Sequence, residues 1–302
     1  MSTSPSLFYK YKTMSISHLP ELLAFMNDLK SRNLISDNKT FHRYIDYMEF
    51  NAPKDLPNAK SIVIMAVASQ LGTIDIHHNS TVRKAFVPQN YYDMGPPMEK
   101  LIDIIQNDII KEIGYNCVRT RLHLKMLAVR SGLAKYGRNN ITYVDEMGSF
   151  YNLFAFFTDY EFAEDDWKEM EMLKYCKTCN ICLNNCPTGA IRPQEMVIDV
   201  KKCLPLYNEI PGEIPDWINK KAHNALMGCM RCQAPCPGNK KAIQNLRKFD
   251  DISAKSVDLI LNRADKDEFQ RIFGPIFDIV DEEGVEYFFP VFKRNLEAFL
   301  QI

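Results

Sequence analysis

Eight of the nine cysteines lie between residues 176 and 236, and their spacing is that of metal ligands. In the stretch CKTCNICLNNCP, Cys176, Cys179, Cys182 and Cys186 follow the pattern C-x2-C-x2-C-x3-C and precede a proline. This run is typical of 4Fe–4S sites, where four thiolates must converge on one cubane and short gaps let one loop wrap its corners. The spacing therefore predicts an iron–sulfur site.

A second run, GCMRCQAPCP, repeats the last three positions of the first. Cys229, Cys232 and Cys236 follow the pattern C-x2-C-x3-C, again before a proline, and Cys203 takes the missing first position from further upstream. We interpret the region as a degenerate duplication that holds two 4Fe–4S clusters.

Bacterial two-cluster ferredoxins suggest how the ligands are shared, because there the cysteine before the proline ligates the other cluster. The same exchange here gives two complete sites. The predicted ligand sets are Cys176, Cys179, Cys182 and Cys236 for one cluster, and Cys186, Cys203, Cys229 and Cys232 for the other.

Zinc and disulfides are the alternatives for so many cysteines. Structural zinc sites combine two Cys pairs, or Cys with His, and do not need a third cysteine two residues on. Disulfides are rare in a reducing cytoplasm. Cys117 lies far from both runs, and the pattern gives it no role.

Composition limits the other classes of function. The 302 residues suggest about two domains, and 37 basic residues against 38 acidic ones leave a net charge of -1. Such a balance gives no strong field toward nucleic acid or an anionic membrane. Without a secretory signal or a long apolar run, we expect a cytoplasmic protein with no membrane contact.

Hydrophobic periodicity predicts the elements that must position the cysteines. In the first half we expect a helix over 17–34 with Ser17 as N-cap, a buried strand over 61–68, and a helix over 98–114 that ends at Gly114. Further predictions are a strand over 115–120, a helix over 121–137, a hairpin around 146–149, and helices near 252–262, 266–273 and 291–301.

The domain prediction follows from these elements. An acidic surface connection over 161–172 leads into the cysteine region, so we place a boundary near residue 170. The predicted class is α+β, with an α/β domain over 1–170, a ferredoxin-like module over 171–245, and a helical segment over 246–302 that packs on the core.

The cysteine region resembles that of the epoxyqueuosine reductases and, more distantly, of the reductive dehalogenases. The resemblance is carried by CKTCNICLNNCPTGAI, VIDVKKCLPLYNEIPGEIP and MGCMRCQAPCPGNK, and it covers roughly residues 60 to 245. It implies a flavin-reductase-like α/β domain joined to a two-cluster ferredoxin module. It also implies an external electron donor of the ferredoxin or flavodoxin type.

The same resemblance implies a cobalamin that the nearer cluster reduces. The stretch AVRSGLAKYGRNNITYVDEMGSFYNLFAFFTD is similar to the family segment that approaches the corrin. The matching positions are Gly132, Gly137, Arg138, Asn139, Gly148 and Ser149. Without the cysteine runs, these residues would be interpreted as ordinary turn glycines and a hairpin tip.

Departures from the family concern the substrate. The family's proton-donor aspartate lies about fourteen residues before the first of these glycines, and here Val118 takes its place. An isopropyl group cannot transfer a proton. Tyr92, in the altered segment Asn90-Tyr91-Tyr92, is the candidate proton donor, although packing with a solvent-facing hydroxyl also explains it. None of the six histidines is assigned a function.

Three hypotheses therefore stand. The first is an iron–sulfur oxidoreductase that uses a cobalamin on a small-molecule or protein substrate other than epoxyqueuosine. The second is a non-catalytic two-cluster electron carrier, and the third is a reductive activator of a separate corrinoid protein. Nucleic acid is not expected, but tRNA stays open as a substrate.

Overall fold

The computed structural model describes residues 7–194 and 196–301, which form a mixture of strands and helices. The strands are β1 Tyr9–Ser15, β2 Ser61–Ala68, β3 Gly72–His78, β4 Thr81–Val87, β5 Cys117–Arg119, β6 Lys135–Tyr136, β7 Thr142–Tyr143, β8 Tyr151–Thr158 and β9 Arg247–Lys248. The α-helices are α1 Leu19–Ser31, α2 Lys39–His42, α3 Met98–Ile104, α4 Leu124–Arg130, α5 Ile181–Asn185, α6 Pro205–Asn208, α7 Ala254–Asn262, α8 Lys266–Phe277 and α9 Glu282–Leu300.

The chain divides into two compact units. The first unit comprises Met1–Ser69 and Gly95–Cys179, and the second comprises Gln70–Met94 and Asn180–Ile302. The domain limits near residues 170 and 245 stay predictions. Among the helices of the described residues, none combines the length and the apolar character that spanning a lipid bilayer requires.

The first unit is built on a four-stranded sheet of order β1-β2-β8-β5, in which every pairing is antiparallel. Strand β2, SIVIMAVA, is buried from Ser61 to Val67, which confirms the prediction of a strand covered on both faces. Its alternate residues Val63, Met65 and Val67 pack with α3 in one core cluster. Antiparallel strands beside separate helices make the class α+β, as predicted.

Helix α1 begins two residues later than the sequence suggested. Ser17 is not its N-cap, which corrects the prediction, because Ile16–His18 form a 3-10 turn first. The side chain of Ser15 caps that turn by accepting a hydrogen bond from the backbone N–H of Ser17.

The predicted helix over 98–114 is also shorter. Helix α3 continues as a π-helix over Ile105–Ile110 and ends at Lys111, whose φ is 61°. The backbone N–H of Lys111 bonds to the carbonyl of Gln106 and closes the last turn. Gly114 is therefore not the terminating residue.

The predicted hairpin around 146–149 is wrong. Strand β7 pairs with β6, and strand β8 pairs with β2 and β5, so the two runs do not pair with each other. Reciprocal backbone hydrogen bonds between Val144 and Gly148 close the loop that separates them. The predicted helix over 121–137 is reduced to α4, because Gly132 reverses the chain with a φ of +72°.

The acidic connection over 161–172 is fixed to the first unit by a polar cluster. The ring of Trp167 stacks on His18 with 4.4 Å between centroids, and the guanidinium of Arg130 lies 4.5 Å from the Trp167 ring. The Oε2 atom of Glu21 accepts hydrogen bonds from Trp167 Nε1 at 3.0 Å and Arg130 Nη2 at 2.7 Å.

The second unit packs three helices against a small sheet of order β4-β3-β9. Helices α7, α8 and α9 confirm the three predicted C-terminal helices, although α9 begins nine residues earlier than expected. Strands β3 and β4 were not predicted. They join through Asn79 and Ser80, both with positive φ, as in the favoured two-residue hairpin turn.

Candidate functional site

The first two cysteines of the motif lie in the first unit. Cys176 is buried on a 3-10 turn, Lys174–Lys177, and its backbone N–H bonds to the carbonyl of Leu173. The N–H of Cys179 bonds to the carbonyl of Tyr175, so the turn continues through the second cysteine. Short helical turns of this kind can place successive thiols at different corners of one cubane.

Cys182 and Cys186 lie in the second unit, on α5 and immediately after it. The Sγ atom of Cys186 accepts a hydrogen bond from the backbone N–H of Ala190 at 3.3 Å. Burial acts to raise the pKa of Cys186, but hydrogen bonds from Thr188, Ala190 and Ile191 outweigh burial and hold the pKa below its ordinary value. This loop is suited to a thiolate, the form that binds iron.

Within the second unit, Cys186 and Cys229 are near enough to interact electrostatically, although they belong to different runs. Burial raises the pKa of Cys229 to about 11, the backbone N–H of Arg231 opposes this, and the charge of Cys186 adds to the increase. Because each thiolate disfavours ionisation of the other, a positively charged iron centre would favour the ionised pair. Both residues belong to the same predicted ligand set, with Cys203 and Cys232.

A buried network of asparagines supports the loop before Cys229. Asn208 donates from Nδ2 to the carbonyl of Gly228 at 2.8 Å and accepts from the Gly228 N–H at 3.2 Å. Asn295 of α9 donates to the carbonyls of Asn208 at 2.7 Å and Leu226 at 2.6 Å. Both asparagines are fully buried.

Sequence reasoning missed this network. The available signal was Asn295 itself, because an amide between Phe292 and Phe299 on the apolar stripe of a helix requires a buried partner.

No three His, Cys, Asp or Glu side chains among the described residues converge on a position for one metal ion. A cubane differs from a single ion because each thiolate bonds a different iron atom. The donor set of thiolates with backbone N–H groups directed at sulfur fits such a cluster.

The residues at the corrin-matching positions lie in turns of the first unit. Gly132 and Gly148 have φ values of +72° and +61°, which explains glycine at both positions. An ideal Cβ on Gly132 would lie 2.3 Å from Cε of Lys168, so a flexible side chain covers this glycine. Ser149 is buried beside the Val144–Gly148 loop.

The β6–β7 turn carries the other three matching residues. Gly137 opens the turn by bonding its N–H to the carbonyl of Ile141. Asn139 is buried and donates from Nδ2 to the hydroxyl of Tyr143 at 2.9 Å. Arg138 donates from Nη2 to the backbone carbonyl of Cys176, which joins this turn to the first cysteine of the motif.

Val118 and Cys117 lie side by side in β5. Val118 pairs with Phe157 of β8, so the position that resembles the family's aspartate is part of the sheet. Burial raises the pKa of Cys117, which a hydrogen bond with Thr158 opposes. A buried thiol of this kind is a weak nucleophile.

Tyr92, the candidate proton donor, lies in the second unit and donates from its hydroxyl to the carbonyl of Gln70. Burial raises its pKa to about 12, while the charge of Arg247 opposes this increase. A phenol with such a pKa releases its proton only reluctantly at neutral pH. Its catalytic role stays a prediction.

Comparisons with known proteins agree with the cysteine pattern. Residues 175–239 match the family described as 4Fe-4S double cluster binding domain. This range contains all eight cysteines of the two runs. The domain supports two 4Fe–4S clusters.

Several curated epoxyqueuosine reductases are related in sequence. The protein from Cyclobacterium marinum is 36% identical over 214 residues, which are 67% of this chain and 68% of the relative. The protein from Leadbetterella byssophila is 28% identical over 71% of this chain and 75% of its own. The Bacillus subtilis protein is 27% identical, and the match spans only about half of its length, 49%.

Solved structures share the fold. The epoxyqueuosine reductase of Streptococcus thermophilus superposes with a TM-score of 0.65 at 18% identity, covering 96% of this chain and 76% of its own. A crystal structure of epoxyqueuosine reductase with an epoxyqueuosine-modified tRNA-Tyr stem loop gives a TM-score of 0.62 at 19% identity, over the same shares of the two chains. With the Cyclobacterium relative and the double-cluster domain, these findings show that the chain belongs to the epoxyqueuosine reductase family of iron–sulfur oxidoreductases.

Proposed function

We propose that the protein passes single electrons from an external ferredoxin or flavodoxin through two 4Fe–4S clusters to a cobalamin, and that its substrate is not epoxyqueuosine. The observation that carries the redox part is the match of residues 175–239 to a 4Fe-4S double cluster binding domain, in which Cys186 and Cys229 are near enough to interact electrostatically. These two residues come from different runs, and their interaction supports the ligand exchange predicted for cluster-binding cysteines.

Cobalamin, when bound, would supply a cobalt centre that reaches low oxidation states. The residues that would hold it are those at the matching positions, with Arg138, Asn139 and Ser149 as polar groups and the three glycines as turns. The contact of Arg138 with the carbonyl of Cys176 supports this proposal, because it links these turns to a predicted cluster ligand. The flavin-reductase-like description of the first unit belongs to the same proposal.

Val118 is the reason for proposing a substrate other than epoxyqueuosine. Opening an epoxide to an alkene requires a proton for the departing oxygen, and a valine has none to give. One structural relative is an epoxyqueuosine reductase solved with a modified tRNA stem loop, so tRNA is the alternative substrate. The near-equal numbers of basic and acidic residues, 37 and 38, give no independent support for tRNA.

The test begins with anaerobic purification and analysis of iron and sulfide. We expect about eight irons per chain, the number for two cubanes. Titration with cob(II)alamin, followed by EPR, should then give the base-off cobalt spectrum. Next, turnover of an epoxyqueuosine-modified stem loop should be absent in the wild-type protein and should appear, if the valine is the only obstacle, in Val118→Asp.

A normal rate of epoxyqueuosine reduction by the wild-type protein would contradict the substrate part of the proposal. An unchanged cobalt spectrum would contradict the cobalamin part and favour the two-cluster electron carrier. Cobalamin binding only in the presence of a separate corrinoid protein would favour the reductive activator.

A further inference from the structure

A cavity of about 660 Å³ opens in the second unit, beside the 3-10 turn Lys220–Ala222 and helix α9. Its volume falls in the range of small-molecule sites, roughly 300–1,000 Å³. It is separate from the cysteine thiols, since none of the cysteines lines it. The proposed function gives it no role.

His223 lies at this cavity as a buried polar group without a partner. The side chain lines the cavity and is 5% exposed, and neither Nδ1 nor Nε2 has a hydrogen-bond partner among the described residues. Leaving a buried donor or acceptor unsatisfied is unfavourable, because the group has given up its hydrogen bonds with water. A group that enters the cavity and bonds to the ring would remove this cost.

The charges that act on the ring are positive. Burial, with the charges of Arg294 and Arg231, lowers the pKa of His223 to about 4. At neutral pH the imidazole is therefore uncharged, with one nitrogen donating and the other accepting. The same two guanidinium groups favour a negative charge beside the ring.

Arg294 is held in place by the protein. Its Nη2 atom donates to the carbonyl of Tyr207 at 3.1 Å, and its Nη1 atom donates to the carbonyl of Gly212. Its positive charge is thus fixed at the cavity wall, with no need to order a flexible side chain when a ligand binds.

The remaining walls combine apolar surface with exposed charge. Ile214, Ile218 and Ala298 provide apolar contacts. The other charged groups at the cavity are Glu213, Asp216, Lys220, Lys221 and Glu297. Glu213, Asp216, Lys220 and Lys221 are exposed, so solvent screens them more strongly than the arginine charges near the ring. The carboxylate of the half-buried Glu297 opposes these arginine charges.

We propose that this cavity binds a small organic anion, whose carboxylate or phosphate group accepts a hydrogen bond from His223 and whose carbon body packs on Ile214, Ile218 and Ala298. The site is also joined to the cysteine region. Arg231, which lies between Cys229 and Cys232, donates from Nη2 to the carbonyl of Lys221 at 2.6 Å and from Nε to that of Ala222 at 3.3 Å.

Calorimetric titration of the cluster-loaded protein tests the proposal with three probes of similar size: phenyl phosphate, benzoate and benzyl alcohol. We expect one of the two anions to bind at least about tenfold more tightly than the neutral alcohol, a difference of one charge-assisted hydrogen bond. The stronger anion identifies the head group. Equal affinity for the alcohol, or no binding of either anion, would overturn the proposal.

Variants then locate the site. His223→Phe keeps the ring volume without nitrogens and should weaken binding of the better anion by about tenfold. Ala298→Leu should also weaken binding of this anion, because the larger side chain fills space at the apolar wall. This second variant tests the site if His223→Phe does not fold. His78→Phe, a histidine of β3 away from the cavity, is the matched control and should bind like the wild type. Wild-type affinity in both cavity variants would refute the assignment.

Discussion

The guanidinium of Arg138 donates a hydrogen bond to the backbone carbonyl of Cys176, so the β6–β7 turn is fastened to the first cysteine of the motif. The contact places a fixed positive charge next to a predicted cluster ligand. A positive charge stabilises the reduced, more negative state of a cluster, so it raises the reduction potential.

Arg138→Met should therefore lower the midpoint potential of the cluster bound by Cys176, by an amount on the order of tens of millivolts. Arg138→Lys keeps the charge, so its midpoint potential should lie close to that of the wild type. The measurement is an EPR-monitored redox titration, with Arg119→Met of the exposed end of β5 as control. Identical potentials in Arg138→Met and the wild type would show that the contact serves only to hold the turn.

Iron content tests the predicted ligand sets. Replacing Cys186 and Cys229 together with serine should reduce the iron from about eight atoms per chain to about four, because both belong to one predicted cluster, whereas runs without ligand exchange would lose both clusters. Cys117→Ser is the matched control, since Cys117 is half-buried in β5 and contacts Thr158. If the double variant lost nearly all of its iron, the predicted ligand exchange would be incorrect.

Asn295→Leu removes the amide that satisfies two buried carbonyls while keeping a similar side-chain volume. The unpaired carbonyls of Asn208 and Leu226 should lower the free energy of unfolding by about 2–4 kcal/mol. Anaerobic urea unfolding measures this change. Asn262→Leu at the exposed end of α7 is the control, with an expected change within about 0.5 kcal/mol. A comparable loss in both variants would argue against the network.

Alanine substitutions at Gly228 and Gly189 should distinguish the cost of backbone strain from the cost of a steric clash. Gly228 and Gly189 both have positive φ, +74° and +66°. An ideal Cβ on Gly228 would lie 2.7 Å from the Tyr91 hydroxyl, whereas an ideal Cβ on Gly189 would have none of the described atoms within 4 Å. Gly189→Ala should cost only the left-handed conformation, about 1 kcal/mol. Gly228→Ala should also displace Tyr91 and reduce the iron bound by Cys229. Equal thermal midpoints and iron contents would contradict this distinction.

His123 makes stability depend on pH. Its Nδ1 atom caps α4 by accepting from the N–H of Met126 at 3.1 Å, and burial, with the charge of Lys125, lowers its pKa to about 4. The unfolded chain takes up the proton near pH 6.5, before the folded protein does. Stability should therefore decrease as the pH falls from about 6.5 toward 4.

His123→Asn keeps an N-cap acceptor but removes the titrating group. We expect this variant to show a smaller decrease in melting temperature between pH 7.5 and pH 5.5 than the wild type. The measurement is anaerobic differential scanning calorimetry. An unchanged decrease would mean that other groups determine the pH dependence in this range.

Sequence patterns predicted the features that depend mainly on residues near each other in the chain. The cysteine runs were evident because the spacing of the residues is itself the constraint on a cubane loop. The buried strand β2 and the three C-terminal helices were also predicted, since hydrophobic periodicity reports on which faces are covered.

Partners distant in sequence were not predicted. Strand β8 begins at Tyr151, just after the loop closed by Gly148, but it pairs with Ser61–Ala68 instead of with β7. Register and partner choice depend on the whole sheet, which a window of a few residues does not contain. For the same reason, nothing in the cysteine motif indicated that Asn295 would support the loop before Cys229.

The hydrogen bonds from Asn295 of α9 also affect when the loop before Cys229 can form. During synthesis the cysteines leave the ribosome well before Asn295, so the thiols are available while two of the hydrogen bonds of their scaffold are still missing. A nascent chain at that stage exposes Cys186 and Cys229 without the fixed backbone around Gly228. We therefore expect lasting cluster incorporation at these residues to follow the docking of the C-terminal helix within its own unit.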